Sequence, residues 1–230
     1  MPRYAIFLTS LPGDALTLAA ARWLGRDAFT GKAVPAPSFE QIAPQRIAEL
    51  TQTASIYGFH GTLKAPFCLA EGVTEADLAA AFDAYCDAAP PLAFPTLEVG
   101  SLDGFTALLP GRANPDIHAL ADAAVEYFDG FRRPASDAEI ARRDVPSMTA
   151  AERRNLEIWG YPYVMEQFRY HMTLTRRLAA GEQSAILPVL QDWFAPALRG
   201  PTTAALAIFV QRNADAPFVV HSWRPLGAAR

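Results

Sequence analysis

Two copies of one short pattern constrain the fold of this chain more than any other feature. The pattern His-x-Thr-Leu occurs at residues 60–63 and again at residues 171–174, each time preceded by aromatic residues. Around each copy the predicted elements come in the same order, namely a helix, the strand that carries the motif, another helix and a pair of strands. The chain is therefore predicted to contain two related halves.

The spacing of apolar residues predicts the individual elements. Short apolar runs bounded by proline, glycine or asparagine predict strands, and stripes at helical spacing behind capping residues predict helices. Residues 25–44 carry three prolines without any period, which predicts a surface loop. The predicted strands are 4–9, 56–67, two within 92–110, 168–175, 203–212 and 217–223, and the predicted helices are 14–24, 45–53, 74–89, 114–128, 149–158 and 182–198.

This order of elements predicts an α+β fold with two pseudo-symmetric lobes, whose antiparallel sheets are flanked by helices and separated by a central cleft. We expect a single domain with lobes at about residues 1–112 and 113–230, and an insertion at residues 132–158. A doubly wound parallel sheet is the alternative. It is disfavoured because the sequence contains neither a GxGxxG nor a GxxxxGK[ST] turn.

Composition limits the classes of function. Apolar residues make up 51% of the 230 residues, so the chain can form a substantial core. A net charge of −4 argues against a broad basic face for long nucleic acid and fits a small phosphorylated substrate. No apolar run approaches the roughly 20 residues needed to cross a bilayer, and no signal peptide is recognisable. We therefore expect a cytoplasmic protein without membrane contact, with a monomer favoured.

The two cysteines and the two remaining histidines are interpreted as structural residues and not as metal-ligating ones. Cys68 and Cys86 lack the spacing of a zinc site and are predicted to be buried thiols without a disulfide. His118 lies on the apolar helix 114–128 and His221 in the last strand, and both are predicted to be structural.

Strand geometry indicates which side chains of the motifs lie together. Alternate residues of a strand share a face, so His60, Thr62 and Lys64 should point one way and the neighbouring apolar residues the other way. The same alternation at the second motif gives the set His171, Thr173 and Thr175. A pseudo-two-fold arrangement would bring the two polar faces, and with them both imidazoles, into one cleft.

The paired motifs resemble those of the two-histidine (2H) phosphoesterase superfamily, which includes RNA-processing and cyclic-nucleotide phosphodiesterases. Their flanks at residues 57–67, 159–164 and 168–175 are similar to a branch of that superfamily associated with phosphonate-utilisation operons. The resemblance implies a metal-independent phosphodiesterase without a cofactor. Two imidazoles suit this chemistry, because one neutral ring can act as a base and one protonated ring as an acid near neutral pH.

The candidate site follows from the motifs and their flanks. His60 and His171 are predicted to be catalytic, and which of them acts as the acid is left open. The predicted phosphate-binding residues are Thr62, Thr173 and Lys64. Further candidates for the walls of the cleft are Tyr57, Tyr161, Tyr163, Arg169, Thr175 and Arg177.

The preferred activity is the opening of a cyclic phosphate on a sugar or nucleotide, with a ribose cyclic phosphate from phosphonate breakdown as one substrate. A 2′,3′-cyclic phosphate of RNA or of a nucleoside is the main rival substrate. A metallohydrolase is the second class, although the motifs contain no second histidine, aspartate or glutamate as a ligand. A non-catalytic protein that binds sugar phosphates or RNA ends could use the same residues.

Overall fold

The computed structural model describes residues 1–40, 42–136, 139–140 and 145–226, and its strands form two sheets. The strands are β1 (Arg3–Ser10), β2 (Gly61–Phe67), β3 (Leu97–Leu102), β4 (Phe105–Pro110), β5 (Met172–Thr173), β6 (Ala204–Gln211) and β7 (Val219–Pro225). One sheet has the order β2-β1-β6-β7 and the other the order β3-β4-β5. All the pairs are antiparallel, which confirms the predicted α+β class.

Helices connect and cover these sheets. Their bounds are α1 (Ala15–Leu24), α2 (Pro44–Tyr57), α3 (Glu75–Ala88), α4 (Pro115–Tyr127), α5 (Ala150–Trp159) and α6 (Ala180–Leu198). Thr74 and Thr149 begin α3 and α5 with reciprocal capping boxes, and the Asn114 side chain caps α4. No helix of the described residues is long and apolar enough to span a bilayer.

The two faces of β1 serve different clusters of apolar side chains. Tyr4, Ile6 and Leu8 point into the main core together with side chains of the helices. Ala5 and Phe7 point to the other face, where a smaller cluster forms with residues of β6 and with Phe218. The second face of the four-stranded sheet is thus lined with aromatic rings, and this is the face beside the first motif.

Each sheet draws strands from both halves of the chain. β2 lies in the same sheet as the hairpin β6–β7, whereas β5 lies in the same sheet as the hairpin β3–β4. Each motif strand has therefore joined the sheet that contains the hairpin of the other half. The lobe boundary expected near residue 112 consequently does not separate the two sheets.

The motif strands are shorter than the sequence predicts. The predicted strand 56–67 begins only at Gly61, because the buried stripe of α2 continues to Ala54 and the helix runs to Tyr57, where it is stopped by Gly58 with a φ of 79°. The predicted strand 168–175 is reduced to Met172–Thr173. The next carbonyl, that of Leu174, accepts a hydrogen bond of 2.8 Å from the indole of Trp23 instead of from a strand.

Other predictions differ in detail. Cys68 and Cys86 are free, but both are half-buried rather than buried. The helix expected to start or kink at Pro188 begins earlier, at Ala180, because the Glu182 side chain accepts a hydrogen bond from the Ala179 amide. Part of the predicted insertion, residues 137–138 and 141–144, lies outside the described residues.

Candidate active site

The two motifs meet at a seam between β2 and β5. The ring of Tyr170, the residue before His171, packs directly on Gly61, the residue after His60. A Cβ atom added to Gly61 would lie 2.4 Å from Cε2 of Tyr170, so only glycine permits this approach. The seam brings the two histidine-bearing segments side by side, from two different sheets.

Both imidazoles are held by the same kind of hydrogen bond. Nδ1 of His60 lies 2.9 Å from the carbonyl oxygen of Gly58, and Nδ1 of His171 lies 2.7 Å from that of Arg169. In each case the acceptor is the residue two positions earlier. Because a carbonyl only accepts, Nδ1 carries the proton and Nε2 of the neutral ring is left unprotonated. Each ring therefore presents Nε2 for chemistry.

The two rings interact electrostatically. Burial lowers the pKa of His60 to about 4; the Gly58 carbonyl opposes this shift, and the nearby charge of His171 adds to it. Burial also lowers the pKa of His171; the carbonyl of Arg169 opposes this shift, while the charge of the Arg169 side chain adds to it and outweighs the opposing carboxylate of Asp103. A proton on His171 therefore disfavours a proton on His60.

His60 lies on a shelf of aromatic rings. It stacks on Phe7 with 3.9 Å between ring centroids and an angle of 27° between the planes. The ring centroid of the predicted cleft residue Tyr57 lies 5.8 Å from that of His60, and the Tyr57 ring is itself stacked on Phe218. The shelf fixes the orientation of the His60 ring and accounts for its desolvation.

His171 has a polar setting instead. The predicted cleft residue Arg169 forms an exposed ion pair with Asp103, in the turn between β3 and β4. The same Arg169 supplies the carbonyl that holds His171. Asp103 carries no sequence signal that places it near the site, since the Asp103-Gly104 pair is typical only of a turn.

The motif threonines are partly exposed next to the histidines. Thr62 is opposite Phe7, the residue on which His60 stacks, and Thr173 is opposite Ala107 of β4. Neither hydroxyl has a hydrogen-bond partner within the part of the chain that the structure describes, and neither is among the buried polar groups. Both are available to donate to a bound anion.

Lys64 has a different role from the predicted one. Its side chain is only 3% exposed, and its Nζ donates to the Val125 carbonyl at 2.8 Å and to Oδ1 of Asp129 at 2.7 Å. The polar face of β2 is covered at this position, because α4 packs against the strand and the turn after α4 brings in Asp129. The ammonium is therefore paired inside the protein and is not free to contact a ligand without giving up these bonds.

This burial leads to a prediction about stability. Replacing Lys64 with methionine should lower the free energy of unfolding by about 2 kcal/mol, because two charge-assisted hydrogen bonds are lost. Asp129 keeps its hydrogen bonds to Arg132, so its charge is not left unpaired. Urea denaturation would give the loss in stability. A folded Lys64→Met variant with unchanged KM supports the structural role, whereas a KM raised tenfold or more would return Lys64 to the substrate site.

Two other predicted cleft residues have structural contacts. Thr175 is fully buried, and its hydroxyl accepts a hydrogen bond from the Thr106 amide at 3.0 Å, so it does not line a cleft. The strand alternation fails here because the chain leaves the sheet, with the Arg176 amide donating to the Leu50 carbonyl of α2. The guanidinium of Arg177 lies 4.9 Å from the Phe105 ring, against the β3–β4 hairpin.

The predicted tyrosines of the segment after α5 form a separate pair. Tyr161 and Tyr163 meet edge to face, with centroids 5.6 Å apart. Tyr161 shares a small cavity with Lys64 and Arg132, next to the covered part of β2. Across the described ranges, no group of three or more histidine, cysteine, aspartate or glutamate side chains is placed to hold a metal ion.

The fold and the site thus define an α+β protein in which two sheets bring a pair of matched histidines together. The chain belongs to a family described as proteins of unknown function (DUF1045), whose profile matches residues 62–219. Two curated relatives carry the name "Ribose 1,5-bisphosphate phosphokinase PhnN". They come from Janthinobacterium sp. (strain Marseille) and Laribacter hongkongensis (strain HLHK9), with 34% and 35% identity over 224 and 219 residues.

These alignments cover 95% and 94% of this chain but 49% and 50% of the two relatives. The chain therefore spans about half the length of the curated relatives it matches.

Proposed function

We propose that this protein is a metal-independent cyclic phosphodiesterase that opens a cyclic phosphate on a small ribose derivative. The observation that carries the proposal is the matched pair of histidines, each held through Nδ1 by the carbonyl two residues earlier. This arrangement leaves two Nε2 atoms for one acid and one base, which is what cleavage of a phosphodiester requires. Two histidines with unrelated structural roles have no need of the same hydrogen bond.

We infer the roles of the two rings from their different surroundings. His60, desolvated on the aromatic shelf, is neutral at pH 7 and is assigned as the general base. His171 is assigned as the general acid, because the Arg169 carbonyl and an anionic substrate both favour its protonated form. His60 takes a proton from water as the water oxygen attacks phosphorus. His171 gives its proton to the ester oxygen that leaves.

The threonines complete the chemistry. The products of the step are a phosphomonoester and a free hydroxyl, and solvent exchange returns both rings to their starting states. Negative charge moves onto the non-bridging oxygens of the phosphate as the water adds. The Thr62 and Thr173 hydroxyls donate hydrogen bonds to those oxygens and stabilise the transition state.

The names of the relatives support a ribose phosphate as the class of substrate. Opening a cyclic phosphate on ribose 5-phosphate yields a ribose bisphosphate, the class of compound that the relatives' name mentions. The phosphokinase activity itself is not proposed for this chain, because its sequence lacks a GxxxxGK[ST] loop for nucleotide phosphates. A polypeptide that carried both the hydrolase proposed here and the phosphokinase of the relatives' name would pass the ribose bisphosphate made by the first activity to the second.

A panel of cyclic phosphodiesters tests this function directly. We expect turnover of ribose cyclic phosphates to exceed that of nucleoside 2′,3′-cyclic phosphates and to survive a chelator. The acidic limb of the kcat/KM profile should lie near pH 4 rather than near 6.5, because the free enzyme holds His60 neutral down to that pH.

Three results would contradict parts of the proposal. Loss of activity with a chelator and recovery with zinc or manganese would favour a metallohydrolase. Faster turnover of the nucleoside 2′,3′-cyclic phosphates would indicate that the protein processes RNA or nucleotides. Binding of all the substrates without any turnover would indicate a non-catalytic phosphate-binding protein.

Replacement of Thr62 with valine tests the donors to the phosphate oxygens. We expect kcat to fall by about 10²-fold, the usual effect of losing one such donor, while the fold stays intact because the hydroxyl has no partner among the described residues. Thr62→Ser keeps the hydroxyl and should retain most of the rate. Equal rates for Thr62→Val and Thr62→Ser would exclude a role for the hydroxyl. Steady-state kinetics with a circular dichroism control is the measurement.

A further inference from the structure

A cavity of about 680 Å³ lies at the end of β2 remote from the histidines. Its walls come from the start of β1, the ends of β2 and β6, and the chain after α4. Along β1, Leu8 is opposite Gly61 of the seam, whereas Arg3 is opposite Gln211 at the cavity. Five residues of strand separate these positions by roughly 16 Å, so the cavity is a site distinct from the histidine pair.

The cavity wall is strongly cationic. Three arginines line it, Arg3, Arg132 and Arg133, against one described carboxylate, that of Glu139. The chain as a whole carries a net charge of −4, so this is a local concentration of positive charge and not a general property of the surface. Guanidinium groups with free N–H donors are suited to bind phosphate, because two N–H groups of one arginine can donate to two phosphate oxygens.

Two of the arginines are held in place by acidic partners. Arg132 donates to both oxygens of Asp129 and to the Ile158 carbonyl, and Arg133 donates to both oxygens of Glu139. The Nε of Arg133 is nevertheless buried without a hydrogen-bond partner among the residues that the structure describes. A buried donor of this kind calls for an acceptor, in the protein or in a ligand.

Arg3 is positioned without being neutralised. Its Nε donates to Oε1 of Gln211 at 2.7 Å, and its guanidinium lies 5.4 Å from the centre of the Phe218 ring. The amide of Gln211 is itself oriented, because its Nε2 donates to the Ala216 carbonyl at 2.7 Å. Neutral groups thus fix the guanidinium, and it has no carboxylate partner among the residues that the structure describes.

We propose that this cavity binds the phosphate group of a small phosphomonoester, a sugar phosphate or a molecule of similar size, in addition to the substrate at the histidines. The volume matches that of small-molecule sites in proteins. Arg3 supplies an oriented charge, Arg132 and Arg133 surround the anion, and the rest of the cavity accommodates the part of the ligand that carries the phosphate. The site does not depend on the proposed hydrolysis.

Calorimetric titration with ribose 5-phosphate tests the site. The titration is done on the full chain with both histidines replaced by alanine, so that binding in the catalytic cleft does not contribute. We expect saturable binding with one site, no binding of ribose itself, and competition by inorganic phosphate. Arg3→Met in this background should weaken the affinity at least tenfold, because the unpaired guanidinium is lost.

Arg199→Met is the matched control, since Arg199 is exposed at the end of α6 and outside the cavity. It should leave the affinity unchanged, and Arg3→Lys should lie between Arg3→Met and the parent. The proposal fails if the Arg3 and Arg199 variants bind equally well, if ribose binds as well as its phosphate, or if binding disappears with the histidines. If Arg3→Met does not fold, Arg3→Lys and the comparison of ribose with its phosphate decide.

Discussion

Replacing His60 or His171 with alanine is expected to lower kcat/KM for a cyclic phosphodiester by about 10²–10⁴-fold, the usual contribution of a general acid or base. The double variant should lose much less than the product of the two single losses, because the rings act as one unit on one phosphorus atom. Steady-state kinetics of the three variants, with circular dichroism to verify the fold, is the measurement.

His118 offers a matched control for these variants. It is exposed on α4, where its ring contacts Phe168 edge to face, and His118→Ala should retain nearly full activity. If His118→Ala loses as much as His60→Ala, histidine replacement damages this protein generally. If either motif variant retains its rate, that histidine is not a catalytic group and the proposed mechanism is wrong.

The second large effect is expected from Gly61→Ala. The new methyl group would overlap the Tyr170 ring, whose Cε2 and Cζ lie 2.4 and 2.7 Å from the site of the Cβ atom. Overpacking of this kind costs about 3 kcal/mol of unfolding free energy, and relief of the overlap moves the two motif segments apart. Urea denaturation should show the loss in stability, and kinetics should show a loss of kcat greater than 10-fold.

Two further variants control for this result. No heavy atom of the described residues lies within 4 Å of a Cβ atom placed on Gly130, so Gly130→Ala should leave stability and kcat nearly unchanged. Tyr170→Phe removes a buried hydroxyl that has no hydrogen-bond partner in the described part of the chain, and we expect the folded state to be as stable or more stable. A Gly61→Ala variant with normal kcat would show that activity does not require close contact between the segments.

Much of the fold could be predicted from local patterns. The caps at Thr74, Asn114 and Thr149 locate the starts of three helices, and the order of elements around the two motifs is as predicted. The sequence could not show that each motif strand pairs in the sheet of the other half's hairpin. Strand pairing depends on contacts between distant segments, and two halves with the same order of elements fit either arrangement.

The limits of the site prediction have the same origin. Strand alternation places Lys64 on the polar face of β2, but α4 covers that face and Asp129 turns the lysine into a structural ion pair. Alternation also predicts that Thr175 lies on the cleft face, although the chain has already left the sheet at that residue. Asp103 escaped notice because its proximity to His171 arises from a hairpin some seventy residues earlier in the chain.

The central pair of the four-stranded sheet has a consequence for biosynthesis. Arg3 of β1 bonds to Gln211 of β6, a residue 208 positions later, and all eight residues of β1 are matched along β6. A ribosome adding roughly 5–20 residues per second leaves β1, rich in apolar side chains, without this neighbour for tens of seconds. During that interval the nascent chain exposes an aggregation-prone apolar segment. We therefore expect the yield of folded protein in cells to depend on chaperone supply and growth temperature.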